Sequence, residues 1–378
     1  MKGFAAVIVG AVVLATGTGA QAAPVAKGPA FTWGSNTHGQ LGFAGSSTAA
    51  PTKLAGVGQV TAVAAGQRHT LVVARDGTAW AFGDNRDGQL GTGSTAPSQS
   101  PVQVTGLSGV VAVAAGWDHS LAVRADGTVF AWGGNYAGQL GDGTTTASLV
   151  PEQVPGISGA VAVAANKDQS FALGADGTLW SWGGNDWGQL GDGTTTDRSS
   201  PLAVLSGVTA VSTGEAHTLA VRADGSVWGW GADFSFQLGY APDPSDPHPA
   251  RLTPAPVDGI TGASGVAAGY GHSLAVLADG SVLAWGDDTN GELGLGRNND
   301  FVVAPTPVPG LANIVAVAAG DNDSLALGAK GHAWGFGTDY YGELGNGYPT
   351  DIEYDSPVEV AVHGLSGIAA GEFHSVGF

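Results

Sequence analysis

The chain is 378 residues long, with 32 acidic against 13 basic residues, a formal net charge of −19 and no cysteine. A field of that sign repels phosphate backbones and anionic membranes, so nucleic acid and membrane are excluded as expected partners and basic proteins are favoured. The missing cysteine removes disulfides, thiol nucleophiles and lipid attachment through sulfur, and 64 glycines speak against a helical solenoid.

Residues 1–23 read as a secretory signal: Lys2, an apolar run from Phe4 to Ala15, then Ala20-Gln21-Ala22 as the small-residue cleavage site. The run is too short to span a bilayer, and no later stretch is long enough. Cleavage removes Lys2 and moves the charge of −19 to about −20. Residues 24–378 are then expected to be freely secreted, with no anchor after the last strand.

The rest of the chain repeats with a period of about fifty residues, which suits propeller blades. Seven aromatic-glycine pairs mark the copies: Trp33-Gly34, Phe82-Gly83, Trp132-Gly133, Trp182-Gly183, Trp230-Gly231, Trp285-Gly286 and Phe336-Gly337. The unit is clearest over residues 110–141, where period-two alternation places strand A at 111–115, B at 120–124 and C at 128–133. A short strand D is expected just after each proline, at 102–104 and 152–154. Asp126-Gly127 joins B to C as a two-residue hairpin; the same pair recurs at residues 76, 176, 224 and 279, with Lys330-Gly331 in another copy. Strand A is small-sided, as a strand crowded near a central axis must be.

The loops 44–51, 91–101, 142–151 and 192–201 are polar connections. Residues 240–256 are so dense in proline that no regular structure is expected there. The loop 345–357 carries Tyr348, Asp351, Glu353, Tyr354 and Asp355. The last copy, from Ala369 to Phe378, stops after strand B, and residues 27–34 supply the missing turn and strand C. One blade is therefore shared between the termini, which closes the ring and removes sheet edges. The prediction is an all-β, seven-bladed β-propeller forming a single domain over residues 24–378.

The pattern resembles the regulator-of-chromosome-condensation repeat family. It carries A-G-x-x-H-S-L from Ala115, D-G-T-x-x-x-W-G from Asp126 and N-x-x-G-Q-L-G-x-G from Asn135. The resemblance covers roughly residues 27–378 and implies a seven-bladed propeller, in agreement with the count.

Strand direction decides which loops share a face. If A runs up and B down, the A–B turn and the loop after C emerge together at the top, and the D-G turns lie at the bottom. The top carries two variable dipeptides per blade. From these, Arg68, Trp117, Asp118, Lys167, Asp168, Glu215, Tyr270, Asp321 and Phe373 in the A–B turns are candidate partner-binding residues. Tyr136, Trp187, Phe236, Tyr340 and Tyr341 in the loops after C join them. Exposed aromatics gathered on one rim suit recognition of another protein.

His69, His119, His217, His272 and His374 recur once per blade around a ring, with Gln169 and Asp323 at the same position in two blades. Metal ligands must converge on one ion, so a structural role is expected, each imidazole bonding a neighbouring backbone group. The D-G turns lack the spacing of the sialidase aspartate box. No nucleophile elbow, zinc-binding helix motif or phosphate loop is present, so neither enzyme activity nor a cofactor is expected. Secreted β-lactamase-inhibitor propellers of actinomycetes are also similar. That resemblance implies Trp117, Tyr270 and Phe373 as anchors with Asp118, Lys167, Asp168 and Asp321 beside them, although the repeats here are longer and the A–B turns poorer in aromatics. The leading expectation is a monomeric, secreted, non-enzymatic protein-binding propeller. Alternatives are nucleotide exchange on a small GTPase, which the first resemblance implies, β-lactamase inhibition, and a lectin stacking sugars on Trp187.

Overall fold

A computed structural model describes residues 28–240, 249–297, 300–348 and 352–378; the expected signal segment and Asp351 lie outside them. The described residues form seven four-stranded antiparallel sheets. In the third blade the strands are A Val110–Ala115, B His119–Arg124, C Val129–Gly133 and D Ser148–Gln153. The first blade joins both termini: Phe31–Gly34 and Thr48–Lys53 from one end, Ile368–Ala370 and His374–Gly377 from the other. Phe31 pairs with Gly377 and Trp33 with Ser375, the shared closure expected from the half-repeats.

Two expectations about the outer strands are corrected. Strand D begins before its proline, at Ser98 and Ser148, with the register shifting between Ser148 and Glu152. Proline is tolerated because an outer edge needs no donor there. For the same reason Ala250–Pro256 is a strand despite containing Pro254 and Pro256, whereas irregular structure was expected; residues 241–248 lie outside the described set.

Strand B is buried along its length, as in His69–Ala74, and strand A is alanine and valine. These small side chains let seven sheets converge on one axis. The aromatic-glycine pair has a backbone cause: Gly133 has φ 103° and Gly34 has φ 97°. A Cβ at Gly34 would stand 2.7 Å from the Phe373 carbonyl oxygen, so no other residue fits without displacing the neighbouring strand.

Contacts between blades follow one pattern. Trp132 Nε1 donates to the Gln89 carbonyl of the preceding blade at 2.9 Å, and Trp33, Trp182, Trp230 and Trp285 do likewise. The Ser120 hydroxyl donates to that same Gln89 carbonyl at 2.8 Å while standing 3.0 Å from His69 Nε2. A hydroxyl has one proton, so Ser120 Oγ must accept from Nε2–H, which fixes the neutral tautomer of His69. The same logic holds for His119–Ser170, His217–Ser273, His272–Ser324 and His374–Thr70. The histidines are structural, but their partner is a hydroxyl on the next blade and not the backbone group expected. Gln169 serves in place of histidine, its amide nitrogen donating to Thr213 Oγ1 at 3.0 Å and to the Gly214 carbonyl. Burial lowers His69 and His272 to about 4 and His119, His217 and His374 to about 3.

Candidate functional site

The A–B turns and the loops after C share one end of the ring. The loop after C hangs on its own blade's turn: Gly134 N donates to the Asp118 carbonyl at 2.7 Å and Asp84 N to the Arg68 carbonyl at 2.9 Å. It also reaches the next blade, where Gln139 Nε2 donates to Asp168 Oδ1 at 2.9 Å and Gln89 Nε2 approaches Asp118 Oδ1 at 3.5 Å. The B–C turns lie at the opposite end, each holding the start of the next strand A, as in Val110 N to the Gly77 carbonyl at 3.0 Å.

Seven A–B turns surround a central mouth lined by Gln67, Trp117, Glu215, Tyr270, Asp321 and Glu372. Neighbouring turns are stitched through backbone bonds, Trp117 N to the Lys167 carbonyl at 3.1 Å and Tyr270 N to the Asp321 carbonyl at 3.2 Å. Lys167 Nζ pairs with Glu215 Oε1 at 2.9 Å and lies 5.2 Å from the Trp117 ring centre. One cation thus neutralises one wall of the mouth, while Asp321 and Glu372 face it on the other. Burial pushes Asp321 up to about 6 and Glu372 up to about 7, with the charges of Glu215 and, for Glu372, Asp321 adding to the effect.

Behind Asp321 and Glu372, between the seventh blade and the shared one, is a cavity of about 80 Å³ also lined by Asp323, Glu343, Thr338 and Tyr341. Asp323 Oδ2 and Thr338 Oγ1 are buried there without a hydrogen-bond partner. Burial lifts Glu343 to about 7 and holds the Asp323 carboxyl well above its ordinary range, with Glu343 the leading neighbouring charge. Among the described residues no three of these carboxylates bring oxygens within 4.8 Å of one another.

Chemistry of the serine–histidine kind is absent from the ring of pairs. The five hydroxyls stand 2.7–3.0 Å from imidazole nitrogens, the spacing of a nucleophile and its base. Yet each hydroxyl spends its proton on a backbone carbonyl, and all five histidines are fully buried.

A sequence profile of the RCC1-like domain matches residues 7–207, and the regulator of chromosome condensation (RCC1) repeat matches residues 224–276 and 279–327. The chain belongs to the RCC1-repeat family. Human WBSCR16 superposes with a TM-score of 0.81 at 25% identity, covering 93% of this chain and 99% of that one. Prp20p of Saccharomyces cerevisiae gives 0.81 at 23% identity over 92% of this chain and 90% of its own. In sequence, pim1 of Schizosaccharomyces pombe is 33% identical over 144 residues, 32% of this chain and 26% of pim1. The Arabidopsis thaliana receptor UVR8 is 33% identical over 130 residues, 33% of this chain and 29% of UVR8. The matched segments therefore span less than a third of either sequence relative.

The RCC1-repeat ring brings most of the predicted residues onto the one end. Trp117, Lys167, Glu215, Tyr270 and Asp321 cluster at the mouth; Arg68, Asp118 and Asp168 lie half-buried just outside it. Phe373 packs against Tyr341 at 5.8 Å between ring centres, and Tyr340 stands beside them at the cavity lip. Tyr136 is 70% exposed and donates its hydroxyl to Asp87. Trp187 and Phe236 are committed to partners, Trp187 edge-on to Phe234 at 4.8 Å and Phe236 to Phe301 at 5.7 Å. Sequence reasoning missed Glu372, Glu343, Asp323 and Thr338 as a group. A signal existed: the Q-L-G of five copies becomes E-L-G at Glu292 and Glu343, and Asp323 replaces the repeating histidine.

Proposed function

We propose that this RCC1-repeat propeller is a secreted, non-enzymatic, monomeric protein that binds a basic protein partner through the mouth end of its ring. The observation that carries it is the convergence of Trp117, Tyr270, Asp321 and Glu372 on one opening, beside a cavity lined by Asp323 and Glu343. The exposed Tyr270 and the half-buried Trp117 supply anchors, and the carboxylates supply a desolvated pocket for a partner's arginine or lysine. Export rests on the signal pattern of residues 1–23. The chain's charge of −19 favours fast encounter with basic surfaces.

Nucleotide exchange on a small GTPase is the second reading, favoured by the fold shared with Prp20p, which is described as binding Gsp1p and histones. The lectin reading has less support, because the Trp187 ring already packs against Phe234.

Affinity capture from culture with residues 24–378 tests the leading reading. The Trp117→Ala/Tyr270→Ala double variant should recover at least about 10-fold less partner, since two anchors at an interface centre are lost. Equal recovery by both proteins would place the interface elsewhere. Release of labelled GDP from a preloaded GTPase would instead establish the exchange reading, and inhibition of a β-lactamase would name a different target for the same face.

A further inference from the structure

The seventh blade departs from the repeat at its B–C turn, on the end of the ring away from the mouth. Elsewhere this turn closes on itself: Thr128 donates both its amide and its hydroxyl to Asp126 Oδ1, at 3.1 and 2.6 Å, and the turns at Asp76, Asp224 and Asp279 do the same. Here the aspartate is Lys330 and the hydroxyl residue is His332, so the internal bond is lost and the imidazole is free to turn outward. It meets Glu359 on the outer strand, with Nδ1 2.7 Å from Glu359 Oε1. His363, four residues further on, brings its own Nδ1 to 3.8 Å from the same oxygen. The two imidazole rings are 4.6 Å apart and tilted by 35°. All three potential ligand atoms lie within 4.8 Å of one another, the only such trio of His, Cys, Asp or Glu among the described residues.

We propose that His332, Glu359 and His363 form a zinc site on this end of the seventh blade. Two imidazole nitrogens and one carboxylate oxygen are the donor set of an open, three-ligand zinc centre, with water in the fourth position. Zinc–ligand bonds of about 2.0–2.2 Å put ligand atoms roughly 3.3 Å apart. The present separations of 2.7 and 3.8 Å bracket that value. All three side chains are partly or fully exposed, so small rotations suffice to close the set. Calcium and magnesium, which require six or more oxygens, are not matched by two nitrogens and one carboxylate. A bound ion would tie the B–C turn at His332 to the segment after Glu359, which leads into the blade that closes the ring.

Isothermal titration of residues 24–378 with zinc chloride should show one equivalent bound, with a raised thermal midpoint, and no heat with calcium chloride. His332→Ala and His363→Ala should each weaken binding by more than about 10-fold, the least expected for loss of a direct ligand. Both positions are exposed, and far-UV circular dichroism will show that the variants keep their fold. Absence of zinc binding, or zinc binding that survives both substitutions unchanged, would overturn the proposal.

Discussion

Replacing Trp33 by alanine should lower the unfolding free energy by about 3–5 kcal/mol, the cost of emptying a large buried aromatic site. Trp33 is 0% exposed and sits in the one blade assembled from both termini, where it packs with Leu325, Val360 and Ile368 across the closure. Its Nε1 also donates to the Glu343 carbonyl at 2.7 Å, 310 residues away. Trp33→Phe should cost far less, about 1–2 kcal/mol. Phenylalanine already fills the equivalent place at Phe82 and Phe336, and Ser375 Oγ still donates to the Glu343 carbonyl at 3.1 Å. Urea unfolding of the three proteins decides the matter. Near-equal loss in both variants would mean the closure depends on the indole hydrogen bond and not on the filled volume.

The double variant Glu292→Gln/Glu343→Gln should be more stable than the parent at pH 8, by on the order of 2–4 kcal/mol. Both carboxyls are raised to about 7 chiefly by burial. A carboxyl whose pKa is higher folded than unfolded binds protons more tightly in the folded state. Its presence therefore costs stability as pH rises from about 4.5 through 7, and that cost stays above it. Glutamine keeps the side-chain acceptor that holds the Asn290 and Tyr341 amides, now at 2.7 and 2.8 Å, without the buried charge. The histidines act in the opposite sense. Lowered from 6.5 to about 3–4, they cost stability as pH falls below 6.5, because only the unfolded chain takes up their protons. In the parent the two sets oppose each other between about pH 4.5 and 6.5. The variant's stability should consequently fall more steeply with acid than the parent's. Denaturant midpoints measured from pH 4.5 to 8 will show both effects. A variant no more stable than the parent at pH 8 would mean these carboxyls are stabilised in the folded state by something other than protonation.

Much of the architecture was written in the chain. The seven aromatic-glycine pairs, the D-G hairpins and the complementary half-repeats each encode a local requirement, and local requirements survive folding. The proline-bearing outer strands were misread because proline was weighed as a breaker; an edge strand with one side open to solvent does not need every amide. The histidine ring was correctly assigned as structural, but its partner could not be found from the sequence. His69 and Ser120 are 51 residues apart and meet only because consecutive sheets rotate about a common axis by a fixed step.

The sequence by itself determined that this is an all-β ring of seven repeats completed by borrowing a strand pair, and that its variable dipeptides belong to one end. Only the tertiary structure decided which of them meet. The seam between the last blade and the shared one places Asp323 and Glu343 behind Asp321 and Glu372, while strand register within the seventh blade sets His332 against Glu359 and His363. The first arrangement depends on how whole sheets pack against each other around the axis, and the second on the pairing of Trp334 with Glu359 between neighbouring strands of one sheet, which residue spacing alone does not specify.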